Sequence, residues 1–231
     1  MQLTALGIYG PYPKAGGHAA SGYLLETDKA KIVFDFGSGT LTRLLGKIGD
    51  IRKLDAIVVS HSHFDHTSDL VSLNYLMELL PDKILKLYVP KNGENWYLPL
   101  LIKGKFEVVE VEENDTERVG DVTLEFKKML HTVPTLGVRA SSGGKSLFYT
   151  ADTMWFKEIE DYVRGVDFVL ADAAKPVGFK GPHMSIDKAE LLLKACGTRV
   201  AVTHLSPDYD PTEALSGTAI EVIEEGRTYT V

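Results

Sequence analysis

The chain has 231 residues, 44% of them hydrophobic and 25% charged, with a single cysteine and a formal net charge of −7. That length supports one large domain over residues 1–231, and no linker, repeat or low-complexity run divides it. One cysteine excludes an internal disulfide, no apolar run nears the roughly 20 residues that span a bilayer, and the acidic balance argues against a broad nucleic-acid footprint.

The N-terminal residues Met1 to Gly10 lack a basic flank and a long apolar run, so they are expected to form a strand and not a signal peptide. With the lone cysteine, this gives a cytoplasmic protein with no membrane contact as the expectation. Leu3–Tyr9, Gly22–Glu26 and Lys31–Phe36 are β-type segments punctuated by Gly, Pro and Asp. Ser38 is placed to cap a helix over Thr40–Leu45 that Gly46 would end. Ala56–Val59 has the character of a buried strand, and it runs straight into His61-Ser62-His63-Phe64-Asp65-His66. Leu70, Leu73, Met77 and Leu80 then recur at helical spacing until Pro81 stops them.

Further strands are expected at Leu85–Val89, Phe106–Val111, Val122–Leu130 and Leu147–Thr150. A helix near Met154–Tyr162 should precede a strand at Phe168–Ala171. Ser185 and Gly197 bracket another helix, followed by a strand at Val200–Thr203. Asp210-Pro211-Thr212-Glu213 has the cap, the proline and the acid of a helix start. The class is α/β or α+β, and periodicity alone goes no further.

Seven histidines carry most of the chemistry: His18, His61, His63, His66, His131, His183 and His204. Three of them fall within six residues, with an aspartate among them. A strand-to-helix junction can present such a set from a rigid edge. In extended chain His61 and His63 face the same way and can grip one ion, while Asp65 and His66 point to a second position. Neutral imidazole with carboxylate suits zinc, with manganese or iron as alternatives. A polar surface loop is the competing reading of the motif.

This motif resembles the first motif of the metallo-β-lactamase superfamily, whose fold is a four-layer αββα sandwich. Three more residues match that family in order and context. His131 follows a strand, Asp152 lies in Tyr-Thr-Ala-Asp-Thr after another, and His204 lies in Thr-His-Leu-Ser-Pro after a third. The resemblance therefore covers nearly the whole chain. It implies that His61, His63 and His131 hold one divalent ion, that Asp65, His66 and His204 hold a second, and that Asp152 bridges them. Asp35, in Asp-Phe-Gly-Ser-Gly, matches a buried Asp that supports the site, with a turn residue as the alternative.

Gly-Pro-His183-Met-Ser, 21 residues before His204, resembles the extra histidine of ribonuclease Z and related phosphodiesterases. The stretches from His131 to Arg139 and from Thr203 to Tyr209 resemble the same branch. His183, as an aid to the leaving oxygen, and Asp65 are thus the implied catalytic residues. Only 21 residues separate His131 from Asp152, which leaves no room for the tRNA-clamping arm of ribonuclease Z. The expected activity is therefore hydrolysis of a small phosphodiester, a cyclic nucleotide or short oligonucleotide, by hydroxide held between two divalent ions. A large nucleic acid is not expected as partner. Lactone or thioester hydrolysis by the same ions is the alternative, and a non-catalytic metal-binding protein a third reading. His18 lies in a glycine-containing loop, as an exposed residue or a substrate contact. Cys196 reads as a small core residue, and Trp96, Tyr97 and Leu98 as core, pocket lining or the face of a homodimer.

Overall fold

In the computed structural model, which describes Met1–Val231, the β-type segments pair into two seven-stranded sheets. The first contains β1 (Gln2–Gly7), β2 (Gly22–Glu26), β3 (Lys31–Phe34), β4 (Ala56–Val58), β5 (Leu85–Pro90) and β6 (Phe106–Val111), in that spatial order. The second contains β7 (Thr116–Val119), β8 (Val122–Lys128), β9 (Leu136–Ser142), β10 (Lys145–Tyr149), β11 (Phe168–Asp172), β12 (Val200–Thr203) and β13 (Glu221–Val222). The last strand, β14 (Thr228–Thr230), returns to pair with β1 and closes the edge of the first sheet. Both sheets begin antiparallel and become parallel, from β3 to β6 in one and from β10 to β13 in the other.

Alternation along the strands decides which face goes where. In β4, Ala56 and Val58 join the large buried cluster between the sheets, while Ile57 joins a second cluster under the helices. Tyr23 and Leu25 of β2 oppose Leu24 in the same way, as do Ile32 and Phe34 of β3 against Val33. The second cluster is completed by Leu44 and Ile48 of α1 (Thr40–Ile48) and by Leu70, Leu73 and Met77 of α3 (Asp69–Glu78). Between these helices lies the single turn α2 (Phe64–Thr67). On the far side, α4 (Ile159–Val163) and α5 (Ile186–Cys196) cover the second sheet, and Cys196 is buried there as expected. Two sheets flanked by helices form the αββα sandwich. No helix is long and apolar enough to cross a membrane.

Four expectations need correction. Helix α1 runs through Gly46 and ends at Gly49, whose φ of 74° lets its N–H reach the Leu45 carbonyl at 2.8 Å. An interior glycine costs a helix only about 1 kcal/mol, and the buried Leu44 and Ile48 on either side outweigh it. Its start is not capped by Ser38: Gly39 holds the N-cap position, and the Asp69 carboxylate accepts the Leu41 N–H at 2.9 Å. Strands β7, β9, β13 and β14 were not expected. Strand β9 reads Leu-Gly-Val-Arg-Ala-Ser-Ser, and its pairing with β8 and β10 supplies what its local propensity lacks. The helix expected near Met154–Tyr162 is confined to α4, and the one at Asp210 does not propagate. The Asp210 carboxylate does accept the Thr212 N–H at 2.9 Å, but after one Leu215-to-Pro211 bond the chain turns away at Gly217.

Candidate metal centre

The candidate residues come together where the parallel strands end, the edge at which open α/β sheets place their ligands. Asp35 follows β3, His61 follows β4, Asp152 follows β10, Asp172 ends β11, and His204 follows β12. Three backbones in this edge take a left-handed conformation that non-glycine residues seldom adopt: Asp35 (φ 58°), Ala151 (φ 53°) and His204 (φ 57°). Such conformations persist where packing over-determines them, and all three residues are buried.

His61, His63, His131 and Asp152 form one group whose donor atoms all lie within 4.8 Å of one another. His61 Nε2 is 3.0 Å from His63 Nδ1, which is 3.2 Å from His131 Nε2. One Asp152 oxygen lies 3.7 Å from both His61 Nε2 and His131 Nε2. A tetrahedral ion with metal–nitrogen bonds of about 2.0–2.1 Å separates its donors by about 3.3 Å, so these spacings suit one. The outer nitrogens are already committed. His131 Nδ1 donates to the Pro182 carbonyl at 3.0 Å, and His61 Nδ1 donates to Ser60 Oγ at 2.9 Å. Both Nε2 lone pairs are thereby free to face the group.

Asp65, His66, Asp152 and His204 form the second group, and every member is buried. Asp152 Oδ1 lies 3.3 Å from His66 Nε2, and Asp152 Oδ2 lies 3.3 Å from His204 Nε2. Asp65 Oδ2 is 3.1 Å from His204 Nε2. Asp152 is common to both groups. His66 Nε2 and Asp152 Oδ1 are buried atoms with no hydrogen-bond partner, a costly state for a protein interior unless a cation takes them up. The donor set therefore fits two divalent ions sharing Asp152.

The electrostatics agree. Burial holds the imidazoles of His61, His63 and His131 below their ordinary range, so they are neutral donors. Burial alone would raise Asp152, but the charges of His204 and His66 hold its carboxyl well below the usual range. Burial likewise opposes a proton on His66, yet Asp152, Asp35 and Asp65 together push that imidazole well above its ordinary value.

Beneath the second group, Asp35 Oδ2 accepts from His66 Nδ1 at 2.7 Å, from Ser60 Oγ at 2.8 Å and from Tyr149 Oη at 2.6 Å. Asp35 thus stands beneath the histidines as expected, not as a turn residue alone. Beside the second group, His183 Nδ1 donates to Asp172 Oδ2 at 2.8 Å, and the Thr153 N–H donates to the same oxygen at 3.0 Å. His183 stacks on His204 with ring centroids 4.8 Å apart. Although burial opposes it, the Asp172 carboxylate raises His183 above the usual imidazole range.

Asp172, Ser60, Tyr149 and Gly10 were missed in the sequence. For Asp172 a signal existed: a carboxylate at the end of a parallel strand, the same placement as Asp152 and His204. Gly10 carried none, because its constraint is a tertiary approach. A Cβ there would lie 1.9 Å from His204 Nε2, and the Gly10 N–H and Leu205 carbonyl bond at 3.1 Å.

The structure keeps His18 out of both groups. Its Nδ1 donates to Glu225 Oε2 at 2.5 Å, and Glu225 also takes the Ala19 N–H and pairs with Arg43. His18 thus latches the N-terminal loop and lines a cavity of about 720 Å³ beside Leu205. Tyr97 is a core residue, while Trp96 donates its Nε1–H to the Ser62 carbonyl at 3.0 Å and packs on the exposed Phe64.

Residues 22–204 match the family model of the beta-lactamase superfamily domain. The chain belongs to the beta-lactamase superfamily. Within it, the chain is 27% identical over 214 residues to the probable metallo-hydrolase YhfI of Bacillus subtilis (strain 168), covering 89% of this chain and 87% of YhfI. It is 24% identical over 242 residues to the ribonuclease Z of Saccharolobus solfataricus, covering 81% and 83% of the two chains. The solved structure of Bacillus subtilis YhfI, a metallo-beta-lactamase fold protein, superposes with a TM-score of 0.91 at 23% identity over 99% of both chains. The short form of human tRNase Z gives 0.78 at 17% identity, over 100% of this chain and 99% of that one. At these identities the superpositions establish the metallo-β-lactamase fold.

Proposed function

We propose that this superfamily member is a dinuclear metal-dependent hydrolase, with zinc the first choice of ion, that cleaves small phosphodiesters such as cyclic nucleotides or short oligonucleotides. The observation that carries the reading is the sharing of Asp152 by two buried donor groups, with the Asp172–His183 pair beside them. His61, His63 and His131 would hold one ion and Asp65, His66 and His204 the other. Bound there, divalent ions supply an acidified water near neutral pH and offset the charge of a phosphate.

The chain's own residues do the rest. Asp65 turns a carboxylate toward His66 and His204 and orients the attacking water. His183, held at Nδ1 by Asp172 and raised in basicity by it, presents Nε2 to the leaving oxygen and delivers a proton as the bond breaks. Exposed Phe64 and Phe179 border the mouth and offer apolar surface to the organic part of the substrate. The ribonuclease Z relatives favour a phosphodiester, whereas the segment between His131 and Asp152 favours a small one. It is wholly a short loop and the β9–β10 hairpin, turned by Gly143 and Gly144.

The test is turnover by zinc- and manganese-loaded protein of bis(p-nitrophenyl) phosphate and 2′,3′-cyclic nucleotides against panels of lactones and thioesters. Both phosphodiesters should exceed the carboxylic esters in kcat/KM, and the 2′,3′-cyclic nucleotides, whose alkoxide leaving group needs the proton, by about two orders of magnitude or more, the contribution of a positioned acid. The reverse preference would replace this reading with lactone or thioester hydrolysis.

A further inference from the structure

Two pairs of buried atoms at the centre have no hydrogen-bond partner. His66 Nε2 and Asp152 Oδ1 belong to the second donor group, where an ion would take them up. The other pair, Asp172 Oδ1 and His204 Nδ1, stands 3.8 Å apart, with side chains 1% and 3% exposed. The sheet builds this pair. Strands β11 and β12 run parallel with Asp172 opposite Thr203, so His204 leaves its strand beside the carboxylate. Asp172 is also gripped from its other neighbour: its N–H donates to Thr150 Oγ1 at 2.9 Å, and its Oδ2 accepts the Thr153 N–H at 3.0 Å. The same Oδ2 accepts His183 Nδ1 at 2.8 Å, which leaves Oδ1 as the unused oxygen.

A neutral imidazole carries one proton, and only its bare nitrogen can hold an ion. The Nε2 atom of His204 is turned to the second group, 3.1 Å from Asp65 Oδ2 and 3.3 Å from Asp152 Oδ2. Its proton then belongs on Nδ1, where a buried N–H needs an acceptor. We propose that Asp172 is a positioning residue for two histidines at once. Its Oδ2 orients His183, and its Oδ1 accepts the Nδ1–H of His204 and so fixes the tautomer in which Nε2 is the ligand. One carboxylate thereby couples the leaving-group acid to the second ion. The inference rests on the dinuclear reading and not on which ester is cleaved.

Asp172→Asn keeps the shape and exposes the coupling. Its amide oxygen can still serve His183 and Thr153, both donors, but its NH2 is then set against His204 Nδ1. That arrangement favours the opposite tautomer, with the proton on Nε2. Chelator-competition titrations with zinc should show the second equivalent about 10–100-fold weaker in Asp172→Asn and the first unchanged. His183→Ala removes the acid, leaves Asp172 to His204, and should keep both affinities. In zinc-loaded wild-type protein with 15N-labelled histidine, long-range 1H–15N spectra should show the His204 proton on Nδ1, at the low field of a hydrogen bond to carboxylate. That spectrum decides by itself should the asparagine variant not fold. Equal second affinities in the two variants, or a His204 Nδ1–H without the low-field shift, would overturn the coupling alone. Wild-type protein that takes up fewer than two equivalents would remove the dinuclear reading and the coupling with it.

Discussion

Asp35 and His66 lie 31 residues apart in sequence, and in the fold Asp35 Oδ2 accepts the His66 Nδ1–H at 2.7 Å with both side chains fully buried. The bond fixes the ring so that its other nitrogen, Nε2, faces Asp152. The same carboxylate oxygen takes the hydroxyls of Ser60 and Tyr149, so one side chain sets the floor of the centre.

Asp35→Ala should therefore act in two ways. Losing the carboxylate leaves four donors unsatisfied, the Ser60 N–H among them, and urea unfolding should show a loss of about 3–5 kcal/mol. Affinity for the second zinc equivalent should fall by about 10–100-fold, as when the partner of a metal-ligating histidine is removed. Unchanged zinc affinity in a folded variant would show that Asp35 does not orient His66.

Loading the centre should release protons unevenly. Without metal, burial keeps His61, His63 and His131 neutral, so the first group needs to lose none. His66 is different: its carboxylate neighbours hold it well above the ordinary imidazole value, so it is protonated at pH 7. Binding at the second group must displace that proton, and affinity there should fall as pH drops further below the raised value. Calorimetry in two buffers of different ionisation enthalpy should report about one proton released at pH 7 with the second equivalent. No release with either equivalent would contradict this ordering.

Gly10 and Gly46 offer a paired test of where glycine is required. Gly10→Ala would drive a methyl group into His204 and should cost about 1–3 kcal/mol, with a matching loss of zinc from the second group. Gly46 lies within α1 and nothing stands within 4 Å of its missing Cβ. Gly46→Ala should stabilise by about 0.5–1 kcal/mol. Thermal unfolding of the two variants checks both signs at once.

His183→Ala should lower kcat by about 10²–10⁴-fold on a phosphodiester with a poor leaving group, and much less with p-nitrophenolate, which needs little protonation. Metal content should hold. Asp172→Asn should reproduce the effect in weaker form, by about 10–100-fold, because the imidazole remains but loses its charged partner. Near-wild-type rates on both substrates for His183→Ala would remove the acid from the mechanism.

Much of the site was legible because its first part is local. His61, His63, Asp65 and His66 occupy an extended stretch entering a helix, so their spacing alone sorts them into two directions, and the structure groups them that way. His131, Asp152 and His204 were visible because each follows a strand whose apolar run marks its end. Asp172 carries the same strand-end signal, but its role could not be read from it, because that role depends on a partner that arrives from a loop 11 residues later. Gly10 was invisible because only the return of the chain near Leu205 makes the approach tight. In the fold, β9 hid behind small residues, and the Asp210 helix signals were real locally but had no apolar face to carry a helix onward.

The account stands most directly on the number and place of the ions. Protein reconstituted with zinc should contain two equivalents per chain by elemental analysis, and anomalous diffraction should show two peaks. One should lie among His61, His63 and His131, the other among Asp65, His66 and His204, with Asp152 between them. Less than one equivalent after reconstitution with zinc or manganese, or peaks away from Asp152, would contradict the dinuclear centre.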